Sequence, residues 1–317
     1  MSDFDYVPAH RPTFYFIGVT TGRSSIMNVF PRWAEQLGLG DTPIRGIDCL
    51  WHDDPAVYRR VTSFLKNDPL SLGGLVTTHK IDLLSASRDL FDELDPFAEL
   101  LGEVSSISKR DERLIAHAKD PITSGLSLEA FLPAGHFDAT GAALCLLGAG
   151  GSSLALTAYL MKKHNRTNVP RTIHVTNRSE RRLEEMRKIH DRINPGIHVS
   201  YHHCPSPVDN DKVVGTLPAG SLVVNATGLG KDAPGSPLTD AARFPEGGLV
   251  WEFNYRGDLV FLDQARAQAE ERGLTIEDGW LYFIHGWTRV IAEVFHLDIP
   301  TSGPEFDTLC RIAAEAR

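Results

Sequence analysis

Short apolar runs rich in β-branched and aromatic residues alternate along this chain with amphipathic segments of helical period. The apolar runs predict strands at 13–19, 43–49, 72–77, 105–109, 114–118, 144–147, 172–176, 196–202, 221–225 and 249–253. The amphipathic segments predict helices at 25–37, 55–66, 81–86, 127–132, 154–163, 182–193, 259–272, 283–295 and 305–316, and residues 135–140 are predicted to be a connecting loop. This alternation favours parallel sheets in an α/β fold with two units that divide near residue 125.

An uncharged apolar run at 144–147 leads into glycines and then into small and apolar residues. This order predicts a buried strand, a tight turn and the start of a helix. Gly148 can adopt a positive φ, and Gly150 and Gly151 lack the Cβ that would keep a phosphate away from the backbone. The helix N-terminus adds free N–H groups, so the segment fits a dinucleotide-binding turn in a G-x-G-G form. A purely structural turn is the alternative.

The end of the next strand indicates which dinucleotide would bind. No acid stands at the strand end, 177–179, and arginines follow closely. An acid here favours NAD by accepting from the ribose 2′-hydroxyl, whereas arginine favours the 2′-phosphate of NADP. The sequence therefore predicts NADP, with NAD as the alternative. For Arg181 and Arg182 the other interpretation is a solvated helix face paired with Glu184 and Glu185.

Composition narrows the class of protein. The chain has 317 residues, of which 42% are hydrophobic and 23% charged, a globular balance. A net charge of −9 and the lack of a basic stripe argue against nucleic acid, and no apolar run approaches a membrane span. The first residues are polar, and four scattered cysteines lack zinc or redox spacing. We expect a cytoplasmic, metal-free monomer or homodimer, with 202–204 as a strand end.

From Gly18 to about Phe295, the order of motifs resembles the shikimate dehydrogenase family, including its quinate dehydrogenase and shikimate dehydrogenase-like branches. In the first half, the segments similar to the family's serine loop and its N-V-T-x-P-x-K, G-A-V-N-T and G-D-N-T-D motifs are 18–26, 76–80, 102–106 and 116–120. In the second half, the closer matches are 148–153, 177–179, 225–230 and 252–255.

This resemblance implies an N-terminal α/β substrate domain, a Rossmann-type NADP-binding domain, and C-terminal helices that return to the first domain. The implied boundaries are 1–125 plus 283–317 for the substrate-binding and catalytic domain, and 126–282 for the NADP-binding domain. The implied activity is hydride transfer between nicotinamide and a ring hydroxyl or ketone of a shikimate- or quinate-like hydroxy acid. A non-catalytic sensor of such a ligand is the alternative.

Two residues are implied to carry the proton chemistry. The Lys80 ammonium can stabilise the alkoxide that forms as hydride leaves, and it can pass on the hydroxyl proton. Asp120 would orient Lys80 and share a hydrogen bond with the same hydroxyl. The alternatives are a solvent-facing lysine at a helix start and a helix-capping aspartate ahead of Pro121.

The resemblance also implies the residues that contact substrate and cofactor. The candidate substrate-binding residues are Ser24, Thr77, Ser105 and Tyr255. The candidate cofactor-binding residues are Gly148, Ala149, Gly150, Gly151, Ser152, Ser153, Asn177, Arg178, Ser179, Arg182, Asn225, Ala226, Thr227 and Phe253. Of these, Phe253 is expected to pack on the nicotinamide.

Departures from the family pattern concentrate in the substrate half. Ile26 replaces the second serine, Ser105 replaces the asparagine of G-A-V-N-T, and Gly286 stands where the closing helix carries glutamine. Polar groups of a site discriminate strongly between substrates, so we expect a substrate other than shikimate itself. Arg23 and His285 could supply a carboxylate partner instead; an exposed arginine and a core histidine are the alternatives.

Overall fold

The computed structural model describes residues 4–163, 167–193, 196–231 and 233–316. The strands within these ranges are β1 (Thr13–Gly18), β2 (Ile44–Asp48), β3 (Ser71–Val76), β4 (Glu93–Leu94), β5 (Ser106–Arg110), β6 (Arg113–His117), β7 (Leu144–Leu147), β8 (Thr172–Asn177), β9 (His198–His203), β10 (Leu222–Asn225), β11 (Leu249–Glu252) and β12 (Thr275–Glu277). The helices are α1 (Ile26–Gln36), α2 (Pro55–Asn67), α3 (Lys80–Ser87), α4 (Pro96–Leu101), α5 (Asp120–Phe131), α6 (His136–Thr140), α7 (Gly151–Lys162), α8 (Glu180–Ile193), α9 (Pro207–Val214), α10 (Val260–Arg266), α11 (Ala269–Arg272), α12 (Trp280–Phe295) and α13 (Pro304–Glu315).

The described chain divides into two units. The first comprises the residues up to Lys119 together with those from Ile284 onward, and the second comprises Asp120–Phe283. The C-terminal helices therefore return to the first unit, as expected. The first compact unit ends directly before α5, which begins at Asp120 and not at residue 127. The implied domain boundary after residue 125 stays a prediction.

The first unit is built on a six-stranded sheet in the order β2-β1-β3-β5-β6-β4. Strands β1, β2 and β3 pair in parallel, as expected, whereas β5 runs antiparallel to both β3 and β6. A two-residue turn explains this: Asp111 and Glu112 both have positive φ, 49° and 64°, as a type I′ hairpin requires. Neither residue is a glycine or asparagine, so the usual turn signal is missing from the sequence.

Both faces of this first sheet are covered by apolar side chains. Tyr15 and Ile17 of β1 face a core with helices α2 and α3. On the other face the rings of Phe14 and Phe16 contact Trp287 of α12, with centroids 6.2 and 4.9 Å apart. The indole N–H of Trp33 in α1 donates to the carbonyl of Leu309 in α13 at 2.9 Å. The returning helices thus complete the core of the first unit.

The second unit contains a six-stranded, fully parallel sheet in the order β9-β8-β7-β10-β11-β12. This is the 3-2-1-4-5-6 order of dinucleotide-binding folds. Along β7 the side chains alternate between two buried cores, with Leu144 and Leu146 in one and Cys145 and Leu147 in the other. Burial on both faces accounts for the uncharged apolar run of the sequence.

Several elements differ from the sequence-based expectation. The residues predicted as a loop at 135–140 form the short helix α6, enclosed by left-handed Gly135 and Gly141. The helix predicted over 259–272 breaks at Gln268, whose amide side chain bonds the backbone of Ala242 and Phe244. No helix of the described residues has the length and apolarity to cross a membrane.

Candidate functional site

The turn after β7 has the geometry expected of a dinucleotide-binding turn. Gly148 has φ +112°, and a Cβ there would lie 3.0 Å from the carbonyl oxygen of Ala226. The loop after β10 is held in place because the N–H of Ala226 donates to the carbonyl of Leu147 at 3.0 Å. Glycine is therefore required at position 148 for two reasons, backbone conformation and close approach of the neighbouring loop.

The N-terminus of α7 is open to an anion. Gly150 precedes the helix without a side-chain cap, and the first turn contains no acidic residue. Gly150 and Gly151 are exposed, and a Cβ at Gly150 would meet nothing within 4 Å. Ser153 points inward instead, donating to the carbonyl of Gly148 at 2.6 Å. Uncapped N–H groups at the start of a long helix are what a pyrophosphate needs, so these residues fit a dinucleotide.

Basic side chains surround the end of β8. Arg181 and Arg182 both pair with Glu185, at 3.5 and 3.1 Å, yet each remains at least half exposed. Arg178 is exposed, and within the described part of the chain it forms no salt bridge with an acidic side chain. Its backbone is fixed by His203, whose Nε2 lies 3.2 Å from the Arg178 carbonyl. The strand end thus offers a guanidinium that can reach a 2′-phosphate without first breaking an ion pair.

Asn177 and Ser179 shape this corner through local contacts. The Asn177 amide donates to the Ser179 carbonyl at 3.3 Å, and Ser179 directly precedes α8. Both side chains are half-buried. They therefore hold the turn that presents Arg178.

Side chains at the ends of β10 and β11 form a buried network. The Asn225 side chain accepts from the N–H of Thr227 at 3.0 Å and from its hydroxyl at 2.7 Å. The same Asn225 amide donates to the Glu252 carboxylate at 2.5 Å. The other Glu252 oxygen accepts from the backbone and side-chain N–H groups of Asn254, at 2.8 and 2.7 Å. The Asn254 amide in turn donates to the carbonyls of Thr227 and Leu229.

Glu252 is a residue that the sequence analysis did not single out. It is fully buried, and this burial raises the pKa of its carboxyl to about 7, although the surrounding hydrogen bonds and the charge of Lys231 act in the opposite direction. A glutamate at the end of an otherwise apolar strand, Leu-Val-Trp-Glu, was the available signal. Carboxyl groups with strongly shifted pKa values concentrate at functional sites.

Aromatic rings surround the segment after β11. Phe253 is nearly buried and packs against Trp251 and Tyr282, with centroids 4.5 and 5.0 Å apart. Tyr255 lies against Phe283 at 4.6 Å and Trp280 at 5.6 Å. These contacts orient both predicted ligand-binding rings, whose roles toward cofactor and substrate stay predictions.

Lys80 is presented by a strained turn. The N–H of His79 donates to the carbonyl of Thr77 at 2.5 Å, which closes a γ-turn, and the central residue Thr78 has φ +59°. A β-branched residue rarely adopts this conformation, and strain of this kind concentrates at functional sites. Below the turn the buried His79 ring lies 3.1 Å from the Tyr58 hydroxyl. Lys80 follows as the half-buried first residue of α3.

Hydrogen bonds of Ser105 and its neighbour Val104 link the end of β3, the start of α3 and the segment before α5. The N–H of Val76 donates to the Ser105 carbonyl at 2.9 Å, and the neighbouring Val104 N–H donates to the Lys80 carbonyl at 3.1 Å. The Ser105 hydroxyl accepts from the N–H of Lys119 at 2.7 Å. Ser105 is almost fully buried, so the structure gives its hydroxyl a structural partner. Its predicted contact with substrate stays a prediction.

Asp120 follows Lys119 directly and begins α5. The Lys119 ammonium pairs with Glu293 of α12 at 2.6 Å, and both side chains are largely buried. This pair anchors the chain just before Asp120. The helix-start position agrees with the alternative of a helix-capping aspartate as well as with a functional role.

The loop after β1 carries Ser24, and Thr77 lies against the start of this loop. Gly18 packs on Thr77, since a Cβ at Gly18 would lie 3.0 Å from the Thr77 methyl group. The Thr21 hydroxyl donates to Asp48 at 2.6 Å and anchors the short 3-10 turn that ends at Arg23. Ser24 follows this turn and is partly exposed, as Thr77 is.

The positions that depart from the family pattern differ in their surroundings. Ile26 is fully buried at the start of α1, so this position no longer contributes to a polar surface. Gly286 lies inside α12, and a Cβ there would meet nothing within 4 Å. His285 is a core histidine: burial lowers its pKa to about 4, and its ring stacks on Phe306 at 4.6 Å. The structure thus favours the alternative of a core histidine, because the ring is almost fully buried and a neutral ring offers no positive charge to a carboxylate.

The histidines near 202–204 lie on β9, as the sequence predicted. His174 and His202 are stacked side by side, with Nδ1 and Nε2 3.0 Å apart. The described residues include no group of three or more His, Cys, Asp or Glu side chains able to hold a metal.

Comparison with known sequences finds curated shikimate dehydrogenases. The NADP(+) enzyme of Streptococcus thermophilus is 29% identical over 185 residues, which are 57% of this chain and 59% of that protein. The enzyme of Streptococcus mutans is 28% identical over 193 residues, 59% and 61% of the two chains. The matches thus span about three fifths of the length of these relatives. No family model matches the chain.

Solved structures resemble the whole chain. Shikimate dehydrogenase of Aquifex aeolicus has a TM-score of 0.72 at 17% identity and covers 98% of both chains. The enzyme of Thermus thermophilus, in complex with NADP(H) and shikimate, has a TM-score of 0.69 at 22% identity over 96% of this chain and 99% of its own. Quinate dehydrogenase of Corynebacterium glutamicum, in complex with NAD, has a TM-score of 0.70 at 20% identity over 96% of this chain and 99% of its own. The predicted α/β fold is thereby confirmed.

Proposed function

We propose that this chain, which shares the fold of the shikimate dehydrogenases and part of their sequence, is an NADP-dependent dehydrogenase. It would transfer hydride between the cofactor and a ring hydroxyl or ketone of a shikimate- or quinate-like hydroxy acid. The observation that supports this most is the Gly148 turn, where the neighbouring loop leaves no space for a Cβ and α7 presents uncapped N–H groups. A cytoplasmic location and a monomeric or homodimeric state stay predictions.

Residues of the second unit would hold the cofactor. The N–H groups at the start of α7 would bind the pyrophosphate, and Arg178 with Arg182 would bind the 2′-phosphate. Asn225 and Thr227 would contact the cofactor from the end of β10. When bound, the nicotinamide would supply the acceptor or donor of hydride.

Residues of the first unit would manage the proton. Lys80 would donate a hydrogen bond to the substrate oxygen and stabilise the negative charge that develops there. Asp120 would accept a hydrogen bond from Lys80 and orient its ammonium. The strained turn at Thr78 supports this role, because it lies two residues before Lys80 and fixes the direction in which α3 begins.

The test measures NADP⁺ reduction by absorbance over a panel of shikimate, quinate and related hydroxy acids, with NAD⁺ in parallel. Lys80→Ala should lower turnover by about a hundredfold or more while NADP⁺ binding stays unchanged, because the lysine acts on the substrate oxygen. The exposed Lys188→Ala is the matched control and should match the wild type. Unchanged turnover in Lys80→Ala would remove Lys80 from the mechanism. NADP⁺ binding without turnover on any substrate would support the sensor alternative, which no present observation favours.

The substrate itself should differ from shikimate at the position of its carboxylate. Ile26 is buried and Gly286 leaves open space, so two polar groups of the family pattern are missing. Gly286→Gln supplies an amide in that space, and Gly286→Ala fills part of it without one. We expect kcat/KM for shikimate relative to the preferred acid to rise only in Gly286→Gln. An equal effect of both variants would contradict a polar contact at this position.

A further inference from the structure

The buried carboxylate at the end of β11 occupies the centre of the network described above. Glu252 accepts three hydrogen bonds: one from Asn225 on β10, and two from Asn254 on the segment after β11. Both asparagines in turn bond Thr227. Asn225 accepts from the Thr227 N–H and hydroxyl, and Asn254 donates to the Thr227 carbonyl. Glu252 therefore determines the position of a loop that it does not itself belong to.

This loop is the one that presses against the dinucleotide turn. Ala226 lies between Asn225 and Thr227, and its carbonyl oxygen is the atom that a Cβ at Gly148 would approach to 3.0 Å. The Thr227 hydroxyl also accepts from the Leu229 N–H at 3.2 Å, which extends the ordered segment to residue 229. A shift at Glu252 is thereby transmitted to the surface that would receive the cofactor.

We propose that Glu252 is a positioning residue for the cofactor, whose ionised carboxylate holds the loop 225–229 ready to bind and whose protonation weakens cofactor binding. The inference rests on the proposed function, since it concerns the binding of the same dinucleotide. In the ionised form all three N–H donors meet an acceptor. Protonation turns one carboxyl oxygen into a hydrogen-bond donor, and its described partners are all N–H groups, which cannot accept from it.

The charged surroundings allow protonation within the range in which enzymes work. Burial raises the pKa of Glu252 to about 7. The charged groups on neighbouring elements are Lys231 after β10, Glu277 and Asp278 at β12, and Asp263 and Arg266 on α10. Lys231 favours the ionised form, and Asp263 pairs with Arg266 at 3.1 Å in solvent.

The first measurement is NADP⁺ binding by calorimetry, from about pH 6 to about pH 8. We expect the Kd of the wild type to rise about tenfold toward the acid end, as for the loss of one charge-assisted hydrogen bond. In Glu252→Gln this rise of Kd toward acid pH should disappear, and only the pH dependence caused by titration of the cofactor phosphate should remain. Glu277→Gln is the matched control, because it makes the same change at a partly buried glutamate of the adjacent strand, and should behave as the wild type.

The outcomes separate this inference from the proposed function. Binding whose pH dependence persists unchanged in Glu252→Gln would overturn the role of Glu252 alone. Absence of NADP⁺ binding at every pH would overturn the proposed function together with it. A second measurement needs no variant: carbon-13 NMR of labelled glutamate should show one carboxyl titrating near pH 7 whose midpoint falls when NADP⁺ is added. A midpoint that rises or stays constant would overturn the inference.

Discussion

Replacing Gly148 by alanine tests the geometry of the dinucleotide turn without any ligand. The residue has φ +112°, a conformation that alanine adopts only at a cost of about 2 kcal/mol. The new Cβ would also lie 3.0 Å from the Ala226 oxygen and 3.2 Å from the Thr227 methyl group, which adds to that cost. For a unit of this size, about 2 kcal/mol corresponds to a fall in Tm of about 4–8 °C.

Gly150→Ala is the matched control for this experiment. Position 150 has φ −91°, and a Cβ there meets nothing within 4 Å, so stability should change by only a few tenths of a kcal/mol. Urea unfolding of both variants, followed by circular dichroism, measures the difference in unfolding free energy. Equal midpoints for Gly148→Ala and Gly150→Ala would refute the conclusion that the Ala226 loop and the backbone conformation require glycine at position 148.

Three further outcomes are expected. Gly286→Ala should raise the unfolding free energy by about 0.5–1 kcal/mol, since alanine favours the helix interior and meets open space; a lower urea midpoint would contradict this. Thr78→Gly should raise it by about 1 kcal/mol by relieving the positive φ of 59°, and an unchanged midpoint would show that the turn is not strained. NMR should show that His285 titrates near pH 4. Because the buried ring stays neutral, its contribution to the unfolding free energy is complete above about pH 6.5 and should be lost as the pH falls toward 4. An imidazole midpoint near 6.5 would exclude its burial.

Much of the second unit could be predicted from local patterns. The order of an uncharged strand, glycines and a helix start around Gly148 depends on backbone conformations that few other residues allow. The absence of an acid and the presence of Arg178 after the next strand are also visible without a structure. These signals lie within a few residues of each other, so the chain itself brings them together.

The first unit was predicted less completely. The antiparallel strand β5 follows from the turn at Asp111 and Glu112, whose residue types carry no strong turn signal. The start of α5 was missed because Gly125 weakens the helical pattern, yet its missing side chain makes room for the Tyr159 ring of α7, to which a Cβ would come within 2.4 Å. Here packing between elements overrides local propensity.

The sequence by itself determined most of the succession of strands and helices and the glycine turn at Gly148, because periodicity and backbone freedom are local properties. The candidate lysine and aspartate came from the family resemblance alone. Only the tertiary structure decided that Glu252 is buried among Asn225 and Asn254 and that His285 is a neutral core residue. Burial and hydrogen-bond partners depend on strands and helices far apart in the chain, and these surroundings decide the charge state of a side chain.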